Sequence, residues 1–298
     1  MAEVISRDGT WTFDGEVVRI VPGHDRSVHR LRKALGELVV PLQGVRGVAY
    51  EPGRKGGRLR LRLRDGADPF TQAVAGALPV PADPYRLAVS DDRTGAAGFF
   101  VDEVRNSLQI WEVPEGPCDR YLMPGPGVPL TAGAGDGTVS FDGERVRLEW
   151  NWLASGAKSA AGTQTFELKD MLGVEWAGRQ GSMEYGYLRF RLRTPVPDRS
   201  PDADPRALSW GVQREGGSTA LVAAAVTARL PHPYAPAELA PAAPDGNAGN
   251  AGGPAPAAFS GADPDAMLRR LRELGELHRE GVLTDEEFSA AKRTLLGM

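Results

Sequence analysis

The sequence contains one cysteine and no long apolar run. Cys118 is that cysteine in a chain of 298 residues, so no intrachain disulfide can form and a reducing compartment is favoured. No stretch approaches the roughly 18 consecutive apolar residues of a membrane-spanning helix, and the N-terminus lacks the pattern of a secretory signal. We therefore expect a cytoplasmic protein.

The usual motifs of catalysis and cofactor binding are also missing. The sequence has no G-x-x-x-x-G-K-[ST] phosphate loop and no G-x-S-x-G nucleophile turn. The four histidines (His24, His29, His232 and His278) do not have the spacing of metal ligands, and Cys118 has no neighbouring histidine. We expect a protein that is not an enzyme and that uses no cofactor and no metal.

An excess of positive charge is absent from the chain as a whole. The net charge is −4, so the broad basic field that attracts nucleic acid is missing. We expect no nucleic-acid partner.

One stretch of the sequence occurs twice. Residues 8–20, DGTWTFDGEVVRI, return as residues 136–148, DGTVSFDGERVRL, with nine of thirteen positions matched at a spacing of 128 residues. Self-similarity at one fixed spacing indicates two copies of one domain. We place repeat 1 at residues 8–112 and repeat 2 at residues 136–231.

Short strands dominate both repeats. Asp14-Gly15 and Asp142-Gly143 stand between β-forming residues and predict hairpins in which both central residues have positive φ. Residues 58–64 alternate arginine and leucine, which predicts a strand with one buried face and one solvated face. The basic segment 24–33 fits either a short helix or a strand, and its counterpart 151–162 is rich in Ala, Gly and Ser and is hardly helical.

Each repeat ends in a predicted helix. Val101, Val104, Leu108 and Trp111 fall on one helical face, while residues 220–230 are apolar nearly all round and predict a buried helix. Six or seven antiparallel strands and one helix in about 100 residues predict a mainly β fold with α elements (α+β). The order of elements resembles a small antiparallel barrel of the pleckstrin-homology (PH) type, closed by its C-terminal helix.

Two segments rich in Pro and Gly separate the parts of the chain. Residues 113–135 predict a linker between the repeats, and residues 232–262, which are mostly Ala, Pro and Gly, predict a disordered or extended linker. Residues 263–298 then predict a two-helix hairpin, with Gly281 ending the first helix and Thr284 and Glu287 forming a capping box.

The hairpin is too short to bury a core of its own, so association is expected. Its pattern L-x-x-L, G-x-L-T-x-E-E-F and K-x-x-L-L-G resembles the SHOCT (short C-terminal) domain of bacterial proteins. Such tails are thought to mediate oligomerisation. The candidate residues for self-association are Leu271, Leu274, Leu277, Leu283, Phe288 and Leu295. Together with the tandem repeats, the chain resembles an uncharacterised bacterial family of unknown activity.

A basic patch in repeat 1 is the one candidate binding surface. Residues 24–64 carry a net charge of +8, and repeat 2 has no such excess. The patch could meet anionic lipid headgroups, nucleic acid or an acidic protein surface, or it could be a solvated face balanced by acidic neighbours. The candidate residues are Arg30, Arg32, Lys33, Arg58, Arg60, Arg62 and Arg64.

We therefore expect a non-enzymatic interaction or scaffold protein. The repeats would present binding surfaces, and the C-terminal hairpin would mediate oligomerisation or recruitment of a protein partner. The alternative is a peripheral protein that binds anionic lipid through the basic face of repeat 1.

Overall fold

The computed structural model describes residues 1–235, except 55, 179–185, 196, 198 and 212–215. These residues belong to one compact unit, Met1–Glu238. The predicted hairpin at 263–298, with all six candidate residues for self-association, lies outside the described residues.

Within the described residues, the strands form four antiparallel sheets, two in each repeat. Repeat 1 has a four-stranded sheet followed by a three-stranded one: β1 (Ala2–Ser6), β2 (Gly9–Phe13), β3 (Val17–Pro22) and β4 (Leu38–Pro41), then β5 (Val45–Gly53), β6 (Gly56–Leu63) and β7 (Arg86–Val89). Repeat 2 has the same order: β8 (Leu130–Ala134), β9 (Gly137–Phe141), β10 (Arg145–Trp150) and β11 (Gln164–Glu167), then β12 (Met171–Ala177), β13 (Gly186–Leu192) and β14 (Ala207–Trp210). Strand β8 lies in the segment that composition assigns to the linker. The strand pairings of the described residues do not close these sheets into barrels.

Five α-helices complete the described part of the fold: α1 (Arg30–Leu35), α2 (Pro69–Val74), α3 (Thr94–Ile110), α4 (Gly156–Ala161) and α5 (Thr219–Thr227). Every residue of α5 is buried, as the apolar sequence predicts. Helix α3 buries Val101 and Val104 and leaves Trp111, just beyond its end, exposed. The described part of the chain is therefore a mixed β and α structure, with antiparallel sheets and few helices.

The hairpin turns occur where the sequence predicts them, but with a different geometry. Gly15 and Gly143 have positive φ, whereas Asp14 and Asp142 do not. The Asp14 carboxylate instead accepts hydrogen bonds from the backbone N–H groups of Glu16 (3.0 Å) and Val17 (2.8 Å). Asp142 caps the second turn in the same way. The aspartates are thus selected as side-chain acceptors rather than for a left-handed backbone.

Short helices occupy both segments that follow the first hairpin. The prediction that residues 151–162 are hardly helical is wrong, because α4 begins after Ser155, whose hydroxyl accepts from Lys158 N–H. The two helices make matching ion pairs with the repeated aspartate. Arg32 contacts Asp8 at 2.7 Å, and the fully buried Lys158 contacts Asp136. Burial lowers the pKa of Lys158, although Asp136 opposes this.

Helix α2 joins the two repeats. The helix begins with an Asp68 N-cap followed by Pro69 at the first helical position. This start signal lies in a Pro-rich segment, where the sequence does not predict a helix. Asp68 accepts from Phe70 and Thr71 N–H, both at 3.0 Å. Helix α2 packs against α5 and β12, so Phe70 and Val74 lie in the same hydrophobic core as repeat 2. Helix α2 of repeat 1 therefore belongs to the core of repeat 2, while the sheets of repeat 1 and α3 enclose a separate core.

Candidate anion-binding site

The outer face of β6 carries the alternating arginines. Leu59 and Leu61 point inwards and are buried, so Arg58, Arg60 and Arg62 point outwards. Strand β5 places Gly47 opposite Arg62 and Ala49 opposite Arg60. On the other side, β7 places Arg86 opposite Arg60. Like charges directly opposite one another destabilise a sheet unless something neutralises them.

A cavity of about 460 Å³ opens between β6 and residues 70–86. Its charged side chains are Arg46, Arg60, Arg62 and Arg86 with one carboxylate, Asp83. Its apolar lining residues are Leu61, Leu63, Phe70, Val74, Leu78, Val80 and Pro84. The cavity is therefore cationic on one side and apolar on the other.

Arg86 already has a counter-ion. Its Nε lies 2.8 Å from Asp83 Oδ2. Among the described residues, no carboxylate lies within ion-pairing distance of Arg46, Arg60 or Arg62. Three positive charges in the cavity are thus left without a protein partner in the described part of the chain.

Tyr85 lines the cavity as a neutral group. Its hydroxyl donates to Asp68 at 2.7 Å. Burial, and then the neighbouring Asp68, raises the pKa of Tyr85 well above its usual value. Asp68 is occupied as the cap of α2, so neither group neutralises the arginines.

Repeat 2 provides an internal comparison. Arg189 occupies the position of Arg60, with Glu175 and Ala207 directly opposite on the flanking strands. Its Nε lies 3.1 Å from Asp204, and its Nη1 lies 3.9 Å from Glu175. Arg191, the counterpart of Arg62, lies 3.5 Å from Glu175. The same arginines are therefore paired with carboxylates in repeat 2, where Asp204 is shared between Arg189 and Arg206.

Three positions make the cavity of repeat 1 more positive than the matching face of repeat 2, and one position, Tyr85 where repeat 2 has Arg206, has the opposite effect. Repeat 1 has Ala49 where repeat 2 has Glu175, so the counter-ion of the arginines is missing. It has Arg86 where repeat 2 has Ala207, and Arg86 takes up Asp83. It also has Arg46 at the β5 bulge, where repeat 2 has the apolar Leu172. One of these three differences removes a carboxylate, and the other two add an arginine.

The structure divides the seven arginines and lysines of the predicted patch. Arg32 is buried on Asp8, Lys33 donates to backbone carbonyls of His24 and Asp25, and Arg64 donates to those of Gln43, Gly116 and Pro117. These three residues hold local structure. Arg30 is exposed on α1, Arg58 is exposed opposite Glu51, and Arg60 and Arg62 line the cavity.

Sequence reasoning left Arg46 and Arg86 out of the patch. Arg46 contributes to the local charge of residues 24–64 but falls outside the alternating run. Arg86 comes more than twenty residues after Arg60 in the sequence and reaches it only through strand pairing. Arg46 and Arg86 are identified when the strands of the two repeats are aligned and the charges opposite each arginine are compared.

Two of the histidines singled out in the sequence have hydrogen-bond partners, and His278 lies outside the described residues. His29 accepts from Leu31 N–H at the start of α1, and His232 lies 2.9 Å from the carbonyl of Gly66. Cys118 is buried, and burial raises the pKa of its thiol. No cluster of three or more potential metal ligands occurs among the described residues. In the same residues, no helix has the length and apolar character needed to cross a membrane.

The fold and the cavity define a tandem-repeat antiparallel protein whose first repeat carries an uncompensated cationic site. The chain belongs to the family defined by a domain of unknown function, DUF4429, whose model matches residues 11–105 and 139–227. The short C-terminal domain SHOCT matches residues 269–296. No curated protein matches the chain.

Proposed function

We propose that this chain is a non-enzymatic cytoplasmic binding protein in which repeat 1 recognises an anionic partner through Arg46, Arg60 and Arg62. The proposal rests on one observation: no carboxylate among the described residues pairs with these three arginines. Repeat 2 neutralises Arg189 and Arg191 with Glu175 and Asp204, whereas repeat 1 has Ala49 and Arg86 at the decisive positions. A site that concentrates uncompensated arginines is suited to an anion from outside the protein.

The SHOCT region supplies the second half of the proposal. The sequence of this region predicts a hairpin too short to bury a core of its own, so we propose that it brings copies of the chain together or recruits a protein partner. Linked copies present several arginine sites at once, which raises the effective concentration of each site at a multivalent partner. The order of seven strands and a C-terminal helix supports a PH-like interpretation of each repeat.

An anionic membrane surface is the alternative partner of the same arginines. Arg58 and Arg62 are exposed on the outer face of β6, and such side chains reach a surface as well as a soluble anion. Binding to vesicles of anionic lipid falls as the salt concentration rises. Lipid co-sedimentation at low and high salt therefore tests this alternative.

The decisive experiment converts repeat 1 to the charge pattern of repeat 2. The double variant Ala49→Glu/Arg86→Ala keeps all three arginines but provides the counter-ion of repeat 2 and releases Asp83. We expect the full-length variant to bind anions at least tenfold more weakly than the wild type in calorimetry with pyrophosphate, an acidic peptide and phosphatidylserine vesicles. Arg191→Gln in repeat 2 is the matched control and should bind like the wild type. Equal binding of every anion by wild type and double variant would refute the proposal.

A further inference from the structure

The cavity of repeat 1 has the size of a small-molecule site. Its volume of about 460 Å³ lies within the roughly 300–1,000 Å³ of pockets that hold compact organic ligands. A flat membrane or protein surface would contact the exposed arginines but would leave this recess unfilled.

The cavity has a cationic wall and an apolar wall, so a ligand that fits it has an anionic group and an apolar group. Arg46, Arg60 and Arg62 form the cationic wall, and an arginine fork matches phosphate oxygens with paired N–H donors. A dianionic phosphate neutralises more of this charge than a single carboxylate does. Leu78, Val80 and Pro84 form an apolar wall, which inorganic phosphate alone would leave in contact with water.

We propose that this cavity binds one small organic phosphate, whose phosphate group contacts Arg46, Arg60 and Arg62 and whose apolar group packs against Leu78, Val80 and Pro84. This inference rests on the proposed function, because it uses the same arginines. It adds the chemical class of the ligand and its position inside the fold.

A ligand in the cavity should also affect the contact between the repeats. Phe70 and Val74 line the cavity, and both belong to the core shared with repeat 2. Helix α2 packs directly against α5. A ligand inside the cavity restrains α2, so it should slow amide exchange in α2 and α5. A ligand on the outer arginine face alone should not.

Calorimetry and hydrogen exchange on the full-length protein test the proposal with 1-naphthyl phosphate as the probe. Inorganic phosphate and 1-naphthol each supply one half of the probe. We expect naphthyl phosphate to bind at least tenfold more tightly than either half and to slow exchange in α2 and α5. Arg60→Gln should weaken binding at least tenfold, and so should Ala49→Glu/Arg86→Ala, which retains Arg46, Arg60 and Arg62. Arg191→Gln should have no effect.

Two results overturn the inference. One is naphthyl phosphate binding no more tightly than inorganic phosphate. The other is an equal loss of binding in Arg60→Gln and Arg191→Gln. Vesicles containing phosphatidate separate the two sources of the phosphate group. If such vesicles bind through Arg60 and soluble phosphates do not, the small-molecule site is wrong and the proposed function stands. If no anion responds to Arg60→Gln or to the double variant, both proposals fail.

Discussion

Phe70 belongs to repeat 1 in the sequence but packs in the core of repeat 2, so its truncation tests whether the repeats depend on one another. The side chain is 4% exposed and shares a core with α5. Truncating a buried phenylalanine to alanine removes its apolar contacts and leaves a cavity, which costs about 3–5 kcal/mol. We expect Phe70→Ala to lower the free energy of unfolding by about 3 kcal/mol, because α2 is short and its site can partly collapse.

Hydrogen exchange locates this effect. Each 1.4 kcal/mol of lost stability speeds exchange about tenfold, so a loss near 3 kcal/mol corresponds to an increase on the order of a hundredfold. We expect that increase in α5, which is distant from Phe70 in sequence. Phe100→Ala is the matched control, because Phe100 is fully buried against Trp11 and Phe13 in the separate core of repeat 1. It should affect α3 and β2 first.

The shared core is refuted by unchanged exchange in α5 of Phe70→Ala, provided that urea unfolding shows that the variant is destabilised. In that case α2 would stabilise repeat 1 alone, and the contact with α5 would contribute little to stability.

Two further predictions concern the turns and the tail. Backbone N–H donors lower the pKa of Asp14 and of Asp142 in the folded protein, so the stability that these carboxylates contribute is complete above their unfolded pKa and is lost as the pH falls through the lower folded pKa. Asp14→Ala/Asp142→Ala should therefore be less stable than wild type in urea at about pH 6 and nearly equal to it at about pH 2; a difference independent of pH contradicts the role of the carboxylates. Light scattering should show that the full chain is an oligomer and that a truncation after Ala235 is a smaller species. The truncation keeps the contact of His232 with Gly66. If both proteins are monomers, the result counts against self-association through the tail.

Local patterns in the sequence were sufficient to predict several of the strands, although not β1 and β8, which lie outside the predicted repeats. Alternation placed Leu59 and Leu61 inside and the arginines outside, and both repeated hairpins occur at the predicted positions. Buried apolar character likewise predicted α5. These features depend on neighbours within a few residues, so a single sequence carries them.

Features that depend on distant partners were not predictable in the same way. Helix α2 is only six residues long and lies in a Pro-rich segment, and its packing on α5 stabilises it. The net charge of residues 24–64 grouped Arg32 and Arg64 with Arg60, because a count of charges does not show which arginine is bound by an acceptor within the protein. The structure separates them, since Arg32 and Arg64 are held by protein acceptors and Arg60 is not paired with any carboxylate among the described residues.

The duplicated fold gives a criterion for separating structure from function. A cation on the first short helix pairs with the repeated aspartate in both copies, as Arg32 with Asp8 and as Lys158 with Asp136, so that pair maintains the fold. The β6 arginines and their counterparts keep their positions in both copies but keep their counter-ions in only one. A fold that needed neutral arginines at this face would be expected to have a carboxylate at position 49, since an opposite-charge pair stabilises a sheet and an uncompensated charge does not. The presence of Ala49 at that position, together with Arg46 and Arg86, therefore supports the proposed external anion rather than a role of these residues in the stability of the sheet.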